Sequence, residues 1–207
     1  MRLRNLKNKE EIIYGSSYVV KNIKDYKGHM DRLFGNDNPI YVEIGMGRGK
    51  FIYNNAISNT NINYIGIEKQ DNILARALKW IPEGVLNLKV IRGNALEIDE
   101  YFDKDIDKLF LNFSDPWPKK RQAGRRLTSP IFLDKYEKIF KDKKEIEIRT
   151  DNEELFIYSI EMLSAHKYTL YDVTFDLHKD SDDLITTEYE DKFSENGNKI
   201  YSLKAIK

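Results

Sequence analysis

Gly45, Gly47 and Gly49 alternate through EIGMGRGK, directly behind the apolar run Ile40–Ile44 and ahead of a helical stretch. Glycines spaced in this way let a chain bend tightly and lay its backbone against a ligand, as nucleotide-type loops do. The spacing argues against two phosphate cradles. A dinucleotide fingerprint needs glycine at position 50, where Lys50 stands; a P-loop needs glycine at 44 and a hydroxyl at 51, where Ile44 and Phe51 stand. Two carboxylates flank the loop: Glu43 just ahead of it, and Glu68 at the end of the next apolar run. An acid at the tip of a second parallel strand suits a ribose diol and disfavours a 2′-phosphate. Glu43 can face a ligand's cationic amino group. A strand-edge role for Glu43 and a solvated strand end for Glu68 are credible singly, but rank below binding once the glycines lie between them. Asn94, in GNA behind a third run, can equally read an adenine edge or cap a helix.

A second constellation follows the fourth run, in NFSDPWPKKRQAGRRL. Asp115 falls just past the strand tip, the edge at which open α/β sheets bind ligands. Pro116 and Pro118 stiffen the chain around Trp117. Lys119, Lys120, Arg121, Arg125 and Arg126 come next with no acid among them. Cations beside a carboxylate and a tryptophan read as a polyanion-binding loop next to a reactive site. A charge run is more often a solvated loop on an Asp-Pro turn, and only its placement at the ligand edge weighs against that here. Trp117 can stack on a splayed base or pack against the sheet edge, with packing favoured by the flanking prolines.

These residues need a scaffold that sets strand tips side by side. Runs rich in Ile, Val, Leu, Phe and Tyr span Ile40–Ile44, Asn63–Glu68, Leu88–Arg92, Lys108–Phe113 and Glu145–Arg149, with two further ones at Thr169–Asp176 and Lys199–Ile206. Near-continuous apolar runs suit strands covered on both faces. Helical stretches separate most of them; one opens on Ser129 with Pro130 at its first position, another on Asp151 with Glu154 three residues on. The alternation predicts an α/β fold with a doubly wound, mostly parallel seven-stranded sheet. No helical pattern separates the last two runs, so the last strand is expected antiparallel, and the polar stretch 177–198 reads as loop. The whole of 1–207 reads as a single domain, with 1–35 as an N-terminal extension leaning on it.

Composition narrows the chemistry. Of 207 residues, 34 are basic and 34 acidic, so any polyanion must be met by a local patch rather than by bulk charge. Cysteine is absent, which removes disulfides, thiolate metal sites and a cysteine nucleophile. His29, His166 and His178 lie outside the motifs, and no His/Asp/Glu cluster has metal-ligand spacing. The start MRLRNLKNKEE lacks an apolar signal region, and no run is long enough to span a bilayer, so a cytoplasmic location is expected.

Taken together, EIGMGRGKF at 43–51, GIE at 66–68, GNA at 93–95, SDPWPKKR at 114–121, RRL at 125–127, TDN at 150–152 and TEYEDKF at 187–193 resemble the bacterial tRNA (guanine-N7-)-methyltransferase family. The glycine loop is common to class I methyltransferases; the DPWPKKR…RRL segment followed by TDN and TEYE is specific. The resemblance implies a Rossmann-like class I methyltransferase fold and S-adenosylmethionine as cofactor, held at Glu43, Glu68, Asn94 and Asp115. It implies substrate binding by Lys119, Asp151 and the stretch Thr187, Glu188, Tyr189 and Glu190, and RNA contact along Arg121–Arg126. The substrate implied is tRNA, methylated at a variable-loop guanosine. Gln122 and Gly124 depart from the family's usual His and frequent Lys, so RNA affinity through the loop is expected to be weaker or supplemented by Arg2, Arg4, Lys7 and Lys9.

Guanine N7 carries a lone pair and no proton, so its methylation needs no general base, and a histidine-poor chain is no obstacle. Positive charge develops on the base, which a fixed carboxylate stabilises; Asp115 is the catalytic candidate. Two other functions fit part of the pattern: a class I methyltransferase acting on a small molecule or protein, and a tRNA-binding module without catalysis. The oligomeric state stays open between monomer and homodimer.

Overall fold

The computed structural model describes residues 6–181, 184–194 and 196–207. Arg2 and Arg4, expected to supplement RNA binding, lie outside the described residues. Strands form at Ile40–Ile44 (β1), Asn63–Glu68 (β2), Leu88–Arg92 (β3), Ile106–Asn112 (β4), Phe140–Thr150 (β5), Thr169–Thr174 (β6) and Tyr201–Ile206 (β7). They make one sheet in the order β3-β2-β1-β4-β5-β7-β6. The pairs among β1 to β5 are parallel, whereas β7 runs antiparallel to both β5 and β6.

Both faces are covered, which explains the continuous apolar runs. Along β2, Tyr64 packs into one buried cluster with Phe51, Leu74 and Phe110, while Ile65 and Ile67 join a second with Val42, Leu109 and Phe132. The polar start of β5 was illegible to an apolar criterion; it is strand because Ile106 pairs with Phe140 and Lys144 exchanges backbone hydrogen bonds with Lys207.

One stretch differs from expectation. Within 177–198, helices form at Leu177–Asp180 and Glu188–Ser194, so TEYE is mostly helical rather than loop. Residues 6–35 are bound closely to the sheet. Helix Lys9–Gly15 packs on helix Asp71–Trp80, Val19 bridges Val90 at the β3 edge, and Ile13 and Tyr18 are buried. Among the described residues no helix is long and apolar enough to cross a membrane.

Strand order reverses around β1, which pairs with β2 on one side and β4 on the other. The crevice outside their carboxyl ends is where such sheets bind ligands. The glycine loop leaves β1 and Asp115 follows β4, so two segments far apart in sequence emerge from adjacent strands.

Candidate active site

The glycine loop is pinned to β2. The N–H groups of Gly45 and Met46 donate to the Ile67 carbonyl at 2.8 and 3.1 Å, and Gly49 N–H closes the turn on the Met46 carbonyl at 2.9 Å. Gly45, Gly47 and Gly49 all have positive φ, between 58° and 78°, which makes side chains at these positions costly. Gly66 serves a different need: a Cβ there would meet Met46 Sδ at 2.2 Å, so any larger residue would push the Met46 side chain off β2.

Glu68 organises this bend. Its Oε2 accepts from Gly47 N–H at 3.2 Å and its Oε1 from Gln70 N–H at 2.8 Å. Burial raises its pKa despite these bonds. A carboxylate offers about four lone-pair sites, so acceptor capacity remains for ligand hydroxyls. Glu43 is 1% exposed on β1; its Oε1 accepts from Asn112 Nδ2 at 2.9 Å, and its Oε2 has no partner. Desolvation pushes its pKa up to about 8, against the opposing Asn112 hydrogen bond and Arg149 charge.

A single cavity of about 730 Å³ joins these groups. Of the sequence-predicted residues, Glu43, Gly45, Gly47, Gly49, Glu68, Asn94, Asp115, Arg125, Thr187, Glu188 and Tyr189 line it. Asp115 is exposed there, and among the described residues no ion pair engages its carboxylate. Asn94 does cap a short helical turn, its Oδ1 accepting from Leu96 N–H at 3.1 Å, while still lining the cavity. Gly124 also faces it; a Cβ there would press at 3.3 Å on the terminal methyl of Ile131, an exposed side chain able to give way.

Five candidates do not line the cavity. Lys119 and Arg121 point to solvent on the basic loop. Asp151 reaches the site only through Tyr189, whose hydroxyl donates to it at 3.3 Å. The expected capping start at Asp151 is displaced by one residue: Asn152 caps the helix Glu153–Ala165 through Leu155 N–H at 2.8 Å, which frees Asp151 for Tyr189. Arg126 is buried and bonded to backbone, so it does not share the exposed placing of Arg121 and Arg125 on the basic loop. Glu190, expected at the substrate, is 0% exposed on the buried face of the helix Glu188–Ser194.

Glu190 belongs to a buried ion network that the sequence reading missed. Arg149 on β5 faces Glu190 at 3.4 Å and Glu147 at 3.1 Å, and donates to the Ile185 carbonyl at 2.8 Å. His178, outside every motif, reaches the other Glu190 oxygen at 3.0 Å. The network carries the segment that presents Thr187, Glu188 and Tyr189. Two cations at the glycine bend hold the same segment from the other side: Arg48 pairs with Glu188 at 2.7 Å, and Lys50 binds Asp191 and Thr186. Lys50, the residue that breaks the dinucleotide fingerprint, was the one signal in the sequence that could have exposed this tie. Glu190→Ala is expected to destabilise the fold by about 3 kcal/mol, because Arg149 stays buried with only Glu147 opposite; urea unfolding measures the loss.

These pairings define the ligand the pocket suits. The cations of the glycine loop are drawn to Glu188 and Asp191, and buried carboxylates face the cavity instead. The orphaned Glu43 Oε2 seeks a cationic donor and Glu68 a hydroxyl pair, a donor set that fits an amino-acid-bearing nucleoside such as S-adenosylmethionine. Among the described residues no cluster able to hold a metal ion occurs.

Comparison with known proteins agrees with this chemistry. Residues 37–203 match a family model described as "Putative methyltransferase". A solved antibiotic-related methyltransferase superposes with a TM-score of 0.66 at 18% identity, covering 89% of this chain and 93% of its own. The tRNA (guanine-N(7)-)-methyltransferase of Geobacillus sp. (strain WCH70) is 47% identical over 97% of this chain and 93% of its own length. That of Streptococcus mutans serotype c is 45% identical over 99% of each. Identity at this level over nearly the whole length, with a methyltransferase sheet beneath it, means that the chain belongs to the tRNA (guanine-N(7)-)-methyltransferase family.

Proposed function

We propose that this chain uses S-adenosylmethionine to methylate N7 of a variable-loop guanosine in tRNA. The observation that carries the reading is one shared cavity, onto which the Gly45–Gly49 bend, the orphaned Glu43 carboxylate and Asp115 all open. The cofactor supplies an electrophilic methyl group on a sulfonium. Glu43 receives its amino group, Glu68 its ribose diol, and Asn94 lies at the adenine end. Thr187, Glu188 and Tyr189 form the wall against which the guanine is held, with Asp151 orienting the Tyr189 hydroxyl and Glu190 supporting them from below. Tyr189 is held between two rings, stacked on Phe193 at 4.4 Å and tilted against Phe113 at 5.1 Å, so it offers a rigid edge rather than a mobile one.

Asp115 stabilises the positive charge that develops on the imidazole ring of the base. The base must leave its surroundings to reach this depth. Lys119, Lys120, Arg121 and Arg125 then hold the phosphate backbone at the cavity mouth, helped by Lys7 and Lys9. The chain acts as one domain with 1–35 as its N-terminal extension, and its place is with the tRNA in the cytoplasm.

Incubating the protein with labelled cofactor and unmodified tRNA transcript, then digesting to nucleosides, is expected to give label only in 7-methylguanosine. Label transferred without tRNA, or to another nucleoside, would overturn the reading. Neutralising Arg121 and Arg125 together is expected to weaken tRNA binding and to reduce the slope of log affinity against log salt by about 2, one for each phosphate no longer neutralised. Filter binding across a salt series measures it.

A further inference from the structure

Arg125 and Arg126 are adjacent in sequence and opposite in role. Arg125 is exposed, lines the cavity and lies over the Trp117 ring at 4.8 Å. Arg126 turns inward and is 8% exposed. Its Nε–H donates to the Pro116 carbonyl at 2.9 Å and its Nη2 to the Trp117 carbonyl at 3.3 Å. The same guanidinium sits 4.4 Å over the ring of Tyr158. Among the described residues no carboxylate pairs with it, so two carbonyls and a π face are what receive this buried cation.

The segment it grips needs an external hold. Pro116 and Pro118 remove two backbone donors, so the turn has little means of closing on itself. Trp117 lies between them at φ 42°, a left-handed conformation that is strained in a non-glycine residue and persists only where surroundings enforce it. Tyr158, the platform beneath Arg126, stands on the helix Glu153–Ala165, whose Leu155, Phe156 and Leu163 are core residues. The Arg126 carbonyl also accepts from Ser129 N–H at 2.9 Å, at the start of the helix Pro130–Ile139. Arg126 thus joins the residues directly after Asp115 to two core helices, to one through its guanidinium and to the other through its carbonyl.

We propose that Arg126 is a positioning residue for methyl transfer: its guanidinium fork fixes the Pro116–Trp117 carbonyls and thereby the place of the Asp115 carboxylate beside the base. The proposal rests on the reading of Asp115 given above. A planar fork satisfies two carbonyls and a ring face in one orientation, which a lysine ammonium does not reproduce. Misplacing a reacting group by about 1 Å can cost on the order of 100-fold in rate.

Arg126→Gln and Arg126→Lys separate this role from RNA contact. Positioning predicts that kcat falls roughly 10- to 100-fold in both, that KM for tRNA and the salt slope of binding stay within about twofold of wild type, and that lysine fails to rescue glutamine. In a Trp80→Phe background, where Trp117 is the remaining tryptophan, its emission should shift in both variants. A phosphate contact predicts the reverse: unchanged kcat, a raised KM and a flattened salt slope for Arg126→Gln, restored by Arg126→Lys. That outcome overturns the proposal. Calorimetric binding of S-adenosylmethionine checks the fold, and loss of cofactor binding in both variants would overturn positioning in favour of a general structural role. Asp115→Asn is the control. If it keeps wild-type kcat, the reading of Asp115 fails on its own account, and a rate loss in the Arg126 variants would then also refute the route through Asp115.

Discussion

Replacing Asp115 by Asn is expected to lower the single-turnover rate by about 10²–10³-fold, the range seen when one preorganised electrostatic partner of a transition state is removed. The side chain keeps its shape and loses only its charge. That charge matters because N7 enters the reaction neutral and leaves it in a cationic ring, while no proton needs to be taken from it. The carboxylate is well placed to meet the new charge, since it faces the common cavity and no ion pair engages it among the described residues. Affinity for tRNA should move by less than about twofold or tighten slightly, since an anion is removed from beside a polyanion. Single turnover with excess enzyme separates the chemical step from product release, and filter binding gives the affinity. Equal losses of rate and binding would mean that Asp115 supports the loop rather than the reaction.

The two halves of this site differed in how far they could be read in advance. Strands β1, β2 and β3 were legible to the residue, because each is a doubly covered run whose identity needs no knowledge of its neighbours. The glycine loop and its flanking acids were legible for the same local reason. The helix Glu188–Ser194 was not. Its buried face carries Glu190 instead of apolar side chains, so it lacks the hydrophobic period by which an amphipathic helix is recognised, and its burial is compensated by Arg149 and His178 from distant segments. Nor can a pair of adjacent arginines be told apart by composition. Which of Arg125 and Arg126 turns inward depends on where the Pro116 and Trp117 carbonyls and the Tyr158 ring lie, and those are set by the packing of separate segments. The offset of the helix cap from Asp151 to Asn152 is a smaller case: both residue types cap equally well, and tertiary contact with Tyr189 decides between them.

Glu43 should show the largest opposition between stability and function. A carboxylate at 1% exposure with one unpartnered oxygen is costly, and desolvation lifts its pKa to about 8. The native state therefore holds this proton more tightly than the unfolded chain, whose value lies near 4.5. The resulting stability is fully present below that lower value and is lost as pH rises through about 8. Glu43→Gln removes the dependence. Its melting temperature should exceed that of wild type at pH 8, with the gap closing at pH 5. The same change should weaken S-adenosylmethionine by roughly 10- to 100-fold, the worth of one hydrogen bond to a charged group. Wild type, mostly protonated at Glu43 in neutral solution, should release protons when the cofactor's ammonium arrives and should bind more tightly from pH 7 to pH 8. Titration calorimetry in buffers of different ionisation enthalpy reads that release directly. If Glu43→Gln binds and releases protons as wild type does, the ammonium lies elsewhere and the buried carboxylate serves β1 alone.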